Sequence, residues 1–263
     1  MRSLLIDLDG VLYEGDDPIP GAADAMDWLD VAAIPHVFVT NTTSRPRSAI
    51  VEKLAKLGIS IGEDDILTPP VAAAAWLAEN SHGPVALFVP EATRDEFTGV
   101  ELARPGIEGP VGAVVIGDYG ERWDFGELNR AFRLLMTEPQ PALVALGMTR
   151  YWRAPDGLRL DTAPFVMALQ HATGIEPVVL GKPAPAFFDA ALSRLVASAD
   201  EACMIGDDIR TDVDAAQEFG IGGILVKTGK FRTSDLDLDV EPRAILGSIA
   251  ELPEWWRRNT GGA

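Results

Sequence analysis

The feature that most restricts this chain is an alternation. Short runs of β-branched or apolar residues recur along it, separated by longer stretches of helical period, and half of the runs end in Gly, Thr or Asp. Such a rhythm builds a parallel sheet covered by helices on both faces. It predicts an α/β fold with a doubly wound, Rossmann-like sheet. The runs read as strands are residues 3–7, 36–40, 85–89, 111–117, 142–146, 177–180, 202–206 and 223–226. Helical patterning falls at 22–33, 44–57, 71–79, 125–136, 164–173, 186–196, 210–219 and 249–257, with Ser44 as a cap and Pro46 in a first turn.

A chain of 263 residues has room for two hydrophobic cores. Pro69-Pro70 and the Gly- and Pro-rich stretch 174–185 mark crossings between them. The expected organisation is a discontinuous core, 1–70 and 180–263, interrupted by an α/β insert at 71–179. No stretch approaches the roughly 18 uncharged apolar residues that span a bilayer, so no membrane partner is expected. With 22 Lys and Arg against 40 Asp and Glu, the net charge is -18, which repels polyphosphate backbones and argues against nucleic acid. Cys203 is the only cysteine, which excludes an internal disulfide framework and fits a reducing compartment. The start of the chain meets Asp7 before a signal-peptide apolar region could form, so the expected location is the cytoplasm.

Chemistry gathers at strand ends. The first run closes on Asp7-Leu8-Asp9-Gly10, which puts two carboxylates on one side at the carboxyl edge of a parallel sheet, where open α/β folds hold ligands. The second closes on Thr40-Asn41 just before a helix, where free backbone N–H groups favour an anion. Gly181-Lys182-Pro183 lifts a single cation out of a later strand end. Finally the apolar run 202–205 opens into Gly206-Asp207-Asp208-Ile209-Arg210-Thr211-Asp212. Taken singly, these read as strand ends, a helix cap, a turn and an acid-enriched helix start.

In the order acid pair, hydroxyl, lysine, acid cluster, the motifs resemble the haloacid dehalogenase-like hydrolase superfamily. The resemblance implies that Asp7 attacks phosphorus and forms an aspartyl phosphate, while Asp9 protonates the leaving group and then deprotonates water. It implies that Thr40, Asn41 and Lys182 hold phosphoryl oxygens. It further implies that Asp7, the Asp9 carbonyl and Asp207 bind Mg²⁺, with Asp208 and Asp212 outside them. Electrostatics points the same way: acids crowded round one point raise one another's pKa and repel an anionic substrate unless a hard cation sits among them.

Asp9 points to phosphate esters or phosphoamides, because carbon–halogen chemistry has no leaving oxygen to protonate. Only about thirty residues lie between Asp9 and Thr40, enough for one crossover helix and no early cap. The insert between Asn41 and Lys182 resembles the NagD-like branch with a large α/β cap. Thr149-Arg150-Tyr151-Trp152, Asp156-Gly157-Leu158 and Thr228-Gly229-Lys230-Phe231 are most similar to the subfamily of phospholysine phosphohistidine inorganic pyrophosphate phosphatases and their hydrolase-domain relatives. The Asn-Pro-Asp usual in other members is replaced by Gly147-Met148-Thr149-Arg150, so their substrates do not carry over.

The expectation is therefore a Mg²⁺-dependent phosphatase acting on a small phosphorylated metabolite. Arg150, Tyr151 and Trp152 are expected in a cap loop that selects substrate, and the resemblance implies that two copies pair through the cap. The alternatives are transfer to an acceptor other than water, or a phospho-ligand binding protein without turnover. Gly229-Lys230 lacks the flanking residues of a P-loop and reads as a turn. The 235–239 acid run lacks the Gly and Glu of a calcium loop, and the three histidines share no ligand spacing.

Overall fold

A computed structural model describes residues 2–260, apart from Pro155 and the side chain of Arg153. The chain divides into two units: Met1–Thr40, Arg47–Leu67 and Lys182–Ala263 form one, and Asn41–Pro46 with Thr68–Gly181 form the other.

The first unit is organised by a six-stranded sheet in the order Ala244–Leu246, Gly222–Val226, Ala202–Gly206, Ser3–Asp7, His36–Val39, Ile66–Leu67, with every neighbouring pair parallel. The chain starts in the middle, winds outward on one side, and returns to wind outward on the other. The reversal falls between Ser3–Asp7 and Ala202–Gly206. At such a switch point the connections diverge and leave a crevice at the carboxyl ends of the two strands. Both strands are buried along their whole length, which is why they read as unbroken apolar runs rather than alternating ones. Helix Ala22–Val31 presents Ala22, Ala25, Met26 and Leu29 to a core containing Leu4, Ile6 and Phe38. Trp256, on the helix Leu252–Thr260, belongs to the same core. The edge strands Ile66–Leu67 and Ala244–Leu246 are too short to show a period of their own.

The second unit has a smaller parallel sheet, ordered Val178–Val179, Ala142–Ala145, Ala113–Ile116, Val85–Phe88. Helices Phe125–Leu135 and Thr162–Thr173 pack on it, their first turns capped by the side chains of Asp124 and Asp161. Trp123 stacks between Phe88 and Phe165, with centroid separations of 5.4 and 4.8 Å. One expectation is corrected here. Tyr151 and Trp152 do not lie in a loop; they open strand Tyr151–Ala154, which pairs antiparallel with Gly157–Leu160. Asp156-Gly157 starts the return strand, and Gly157, at φ 136, takes a conformation a side chain would resist.

Candidate active site

Ser3–Asp7 and Ala202–Gly206 are adjacent and in parallel register, so the residues at and just after their carboxyl ends, Asp7 and Asp207, are delivered to one crevice. Asp212 arrives from the helical turn Ile209–Asp214, which is separated from that strand by Asp207 and Asp208. The turn is wound wider than an α-helix, and Val213 N–H donates to the Asp208 carbonyl five residues back at 3.4 Å. Ligand atoms of Asp7, Asp207 and Asp212 lie within 4.8 Å of one another. All three are at most 5% exposed.

Lys182 enters this cluster as its single buried cation. Its Nζ donates to Asp7 Oδ1 at 2.8 Å and to Asp212 Oδ1 at 2.7 Å. Burial alone would lower the pKa of this ammonium; Asp212 and Asp7 overrule it and hold the pKa raised, so Lys182 stays charged. Burial pushes Asp207 up to about 6, opposed by the Lys230 N–H and reinforced by Asp212. Asp212 is likewise pushed up to about 6 by burial, against Lys182 and with help from Asp7. Asp7 is raised by burial, partly offset by Lys182. Three carboxylates against one ammonium leave two uncompensated negative charges in a buried space.

Asp207 Oδ1 is buried and has no hydrogen-bond partner among the described residues. An orphaned carboxylate oxygen of this kind costs about 1–3 kcal/mol. An all-oxygen donor set, a charge deficit of two and an unused lone pair together fit a hard divalent cation such as Mg²⁺. Asp7, Asp207 and Asp212 are the side chains that would hold it. Asp212, which the sequence places outside the ligand set, belongs geometrically to the group of three.

The other expected residues fall as follows. Asp9 is exposed, on a tight turn in which Leu12 N–H donates to the Leu8 carbonyl at 2.8 Å, so its carboxylate lies outside the buried group of three. Thr40 is buried directly after the neighbouring strand His36–Val39. Asn41 is exposed and falls with the second unit. Asp208 turns away to cap the helical turn, its Oδ1 accepting from Arg210 N–H at 3.0 Å and Thr211 N–H at 3.1 Å. Burial works against its charge, but those bonds and Lys230 prevail and hold its pKa low. In the second unit Arg150 is exposed and lies 6.0 Å from the Tyr151 ring centroid. Its carbonyl accepts from Asp161 N–H at 3.1 Å.

Thr228-Gly229-Lys230, read from sequence as a plain turn, is part of the site. Lys230 N–H donates to Asp207 Oδ2 at 2.7 Å, and the Thr228 hydroxyl donates to the Gly10 carbonyl. A Cβ on Gly229 would stand 2.1 Å from Asp207 Oδ2, and one on Gly10 1.9 Å from the same oxygen. Both positions also have positive φ. Two glycines let two loops close on one carboxylate, and the local sequence signal for it is a Thr-Gly one residue after an apolar strand.

Comparison with known proteins shows the family. Residues 4–103 match the family described as haloacid dehalogenase-like hydrolase, and residues 179–252 match a HAD-hydrolase-like family. The chain is 41% identical over 235 residues to haloacid dehalogenase-like hydrolase domain-containing protein 2 of Mus musculus, covering 89% of this chain and 87% of that one. It is 38% identical over 239 residues to the phospholysine phosphohistidine inorganic pyrophosphate phosphatase of Homo sapiens, covering 89% and 86%. Among solved structures it is similar to a p-nitrophenyl phosphatase from Archaeoglobus fulgidus, with a TM-score of 0.84, 28% identity, and coverage of 97% and 98%.

Proposed function

The chain belongs to the haloacid dehalogenase-like hydrolase family, and we propose that it is a Mg²⁺-dependent phosphatase of small phosphorylated metabolites, phosphate esters, phosphoamides or pyrophosphate. The observation that carries this reading is the buried group Asp7, Asp207, Asp212 and Lys182, with its charge deficit of two and its orphaned Asp207 oxygen. Similarity to the human and archaeal phosphatases supports the same chemistry.

In the mechanism proposed, Asp7 is the nucleophile. Lys182 holds its Oδ1, which orients the carboxylate for attack and works against the burial that raises its pKa. A bond forms between an Asp7 oxygen and phosphorus as the bond to the leaving group breaks. Asp9 gives that group its proton, and its exposure is what a donor to a departing molecule requires. Water then displaces the phosphoryl group from Asp7 while Asp9 takes the proton back. Lys182 and Thr40 supply positive charge and a hydroxyl near the transferring oxygens. A bound divalent cation adds Lewis-acid stabilisation of the charge on those oxygens.

A panel of phosphate esters, phosphoamides and pyrophosphate, assayed with and without Mg²⁺, tests the reading. Phosphate release that needs Mg²⁺ is expected, together with hydroxylamine-labile phosphate on the protein when Asp9→Asn slows the second step. Turnover undiminished in excess chelator would reject it.

A further inference from the structure

The inserted unit carries a second concentration of charge, of opposite sign, that the phosphatase reading does not use. A cavity of about 260 Å³ lies where Val85–Phe88 and Ala113–Ile116 give way to the loops that follow them. These strands are neighbours in a parallel sheet, so their carboxyl-end loops face a common space. The polar wall is Arg94, Arg104, Arg122 and Arg130 with Glu91 and Glu127. Ala86, Ala103 and Ile107 give it an apolar side.

The pairing inside this wall is uneven. Arg130 grips Glu127 with two hydrogen bonds, 3.0 and 2.7 Å, and the Tyr119 hydroxyl donates to the same carboxylate at 3.2 Å. That pair is self-contained, and the Arg130 bonds hold the Glu127 pKa low. Glu91 is shared by Arg94 at 3.8 Å and Arg122 at 3.7 Å, both longer than a hydrogen bond. Arg104 has no ion pair with a described residue. Four guanidiniums against two carboxylates leave a surplus of two positive charges, in a chain whose net charge is -18. The Arg94 side chain is only 25% exposed and stands beside Glu91, so the surplus falls mainly on Arg104 and Arg122, which are exposed. Guanidinium forks are shaped for the paired oxygens of carboxylate and phosphate.

We propose that this cavity binds a small organic dianion, its two charges carried as carboxylates or as a phosphate group on a short apolar stem. Arg94, Arg104 and Arg122 take the anionic oxygens, and the wall of Ala86, Ala103 and Ile107 takes the stem. The site shares no residue with the acid cluster, so it would serve as an accessory or regulatory site rather than the place of phosphoryl transfer.

Calorimetric titration of the full chain tests this, with glutarate as the carboxylate probe, phenylphosphonate as the phosphate-like probe and glutaramide as the uncharged control. One-to-one binding of glutarate or phenylphosphonate is expected, and which of them binds tells carboxylate from phosphate. Each of Arg94→Gln and Arg104→Gln should weaken it about tenfold, the loss of one charge-assisted contact of about 1.4 kcal/mol. Arg104→Lys should recover part of the loss, since it keeps the charge without the fork. Arg104 is exposed, so its variants should fold, and their melting temperatures check that. The proposal is overturned if neither probe saturates below about 10 mM, a range weaker than any specific small-ligand site of use. It is equally overturned if glutaramide binds as well as glutarate. A phenylphosphonate isotherm that survives both glutamine substitutions reports the acid cluster instead, and counts against the cavity.

Discussion

At the carboxyl end of the first unit's sheet three carboxylates share one ammonium; at the carboxyl end of the insert's sheet four guanidiniums share two carboxylates. Both groupings draw on segments that follow neighbouring parallel strands, completed in the core by Lys182 and in the insert by Glu127 and Arg130 of helix Phe125–Leu135. What differs is burial. The core acids are at most 5% exposed, and their charge is set by contacts they cannot leave. Of the insert's arginines, Arg104 and Arg122 are exposed and can swing into water. Strand topology thus decides where charge collects, while burial decides whether the collection is obligatory.

The comparison is broken most severely at Asp7. Asp7→Asn should lower phosphatase turnover on the order of 10⁴-fold, because an amide is neither the nucleophile nor an anionic ligand, while the fold stays intact. Steady-state kinetics on a folded sample checks this, and near-normal activity would remove Asp7 from the mechanism. The second break is thermodynamic. Lys182→Met leaves three buried carboxylates facing one another and should cost about 3–5 kcal/mol of stability in chelator. Arg104→Gln, the removal of one cation from the insert's cluster, should change stability by less than about 0.5 kcal/mol. Urea unfolding of the two variants measures the contrast directly; equal losses would contradict the distinction between obligatory and optional charge.

Metal and pH sharpen the core half of the comparison. Asp207 and Asp212, pushed up to about 6, hold protons in the folded state that the unfolded chain releases near the ordinary carboxylate pKa of 3.8. Their contribution to the metal-free protein is therefore fully present below about pH 4 and is lost as pH rises to about 6. Mg²⁺ needs the same oxygens ionised, so its stabilisation should run the opposite way. It should approach about 2.7 kcal/mol at a hundredfold excess over Kd near neutral pH and shrink as pH falls through about 6. Melting temperatures with Mg²⁺ and with chelator, from pH 5 to 8, decide it, and a gain independent of pH would mean that the metal binds elsewhere.

Much of this arrangement is legible in the sequence, for physical reasons. A doubly covered parallel strand must be apolar throughout, so residues 3–7 and 202–206 announce themselves, and a carboxylate at the end of each is then conspicuous. The short strands Ile66–Leu67 and Ala244–Leu246 carry no such signal, because they are recruited by the sheet already beside them rather than by their own pattern. Thr228-Gly229-Lys230 belongs to a family-like motif in the sequence, but its place in the site stays hidden there because its role is steric and backbone-mediated. Nothing in the letters says that an N–H of Lys230 will reach Asp207. Asp212 was placed one layer out because its nearness depends on the wide winding of Ile209–Asp214, which spacing alone does not encode. Tyr151 and Trp152 are expected in a loop because two adjacent aromatics show no two-residue alternation, and the hairpin leaves Tyr151, Trp152, Leu158 and Leu160 all exposed.

That exposed hairpin carries the smallest effect predicted here. Arg150 stands at its entrance, fixed through its carbonyl to Asp161 N–H and with its guanidinium 6.0 Å from the Tyr151 ring, too far for a strong cation–π contact. Its side chain therefore contributes little to holding the hairpin, and Arg150→Ala should leave the stability of the protein unchanged within about 0.5 kcal/mol. A role in choosing substrates would show elsewhere. The variant should lose about fivefold in kcat/KM, near 1 kcal/mol, for a substrate whose leaving group is large enough to meet it, and nothing for acetyl phosphate, which offers only the phosphoryl group and a stub. Parallel kinetics on a large phosphate ester and acetyl phosphate separate the outcomes. An equal fall on both substrates would assign Arg150 to phosphoryl transfer, and no change on either would make it a surface residue packed beside Tyr151.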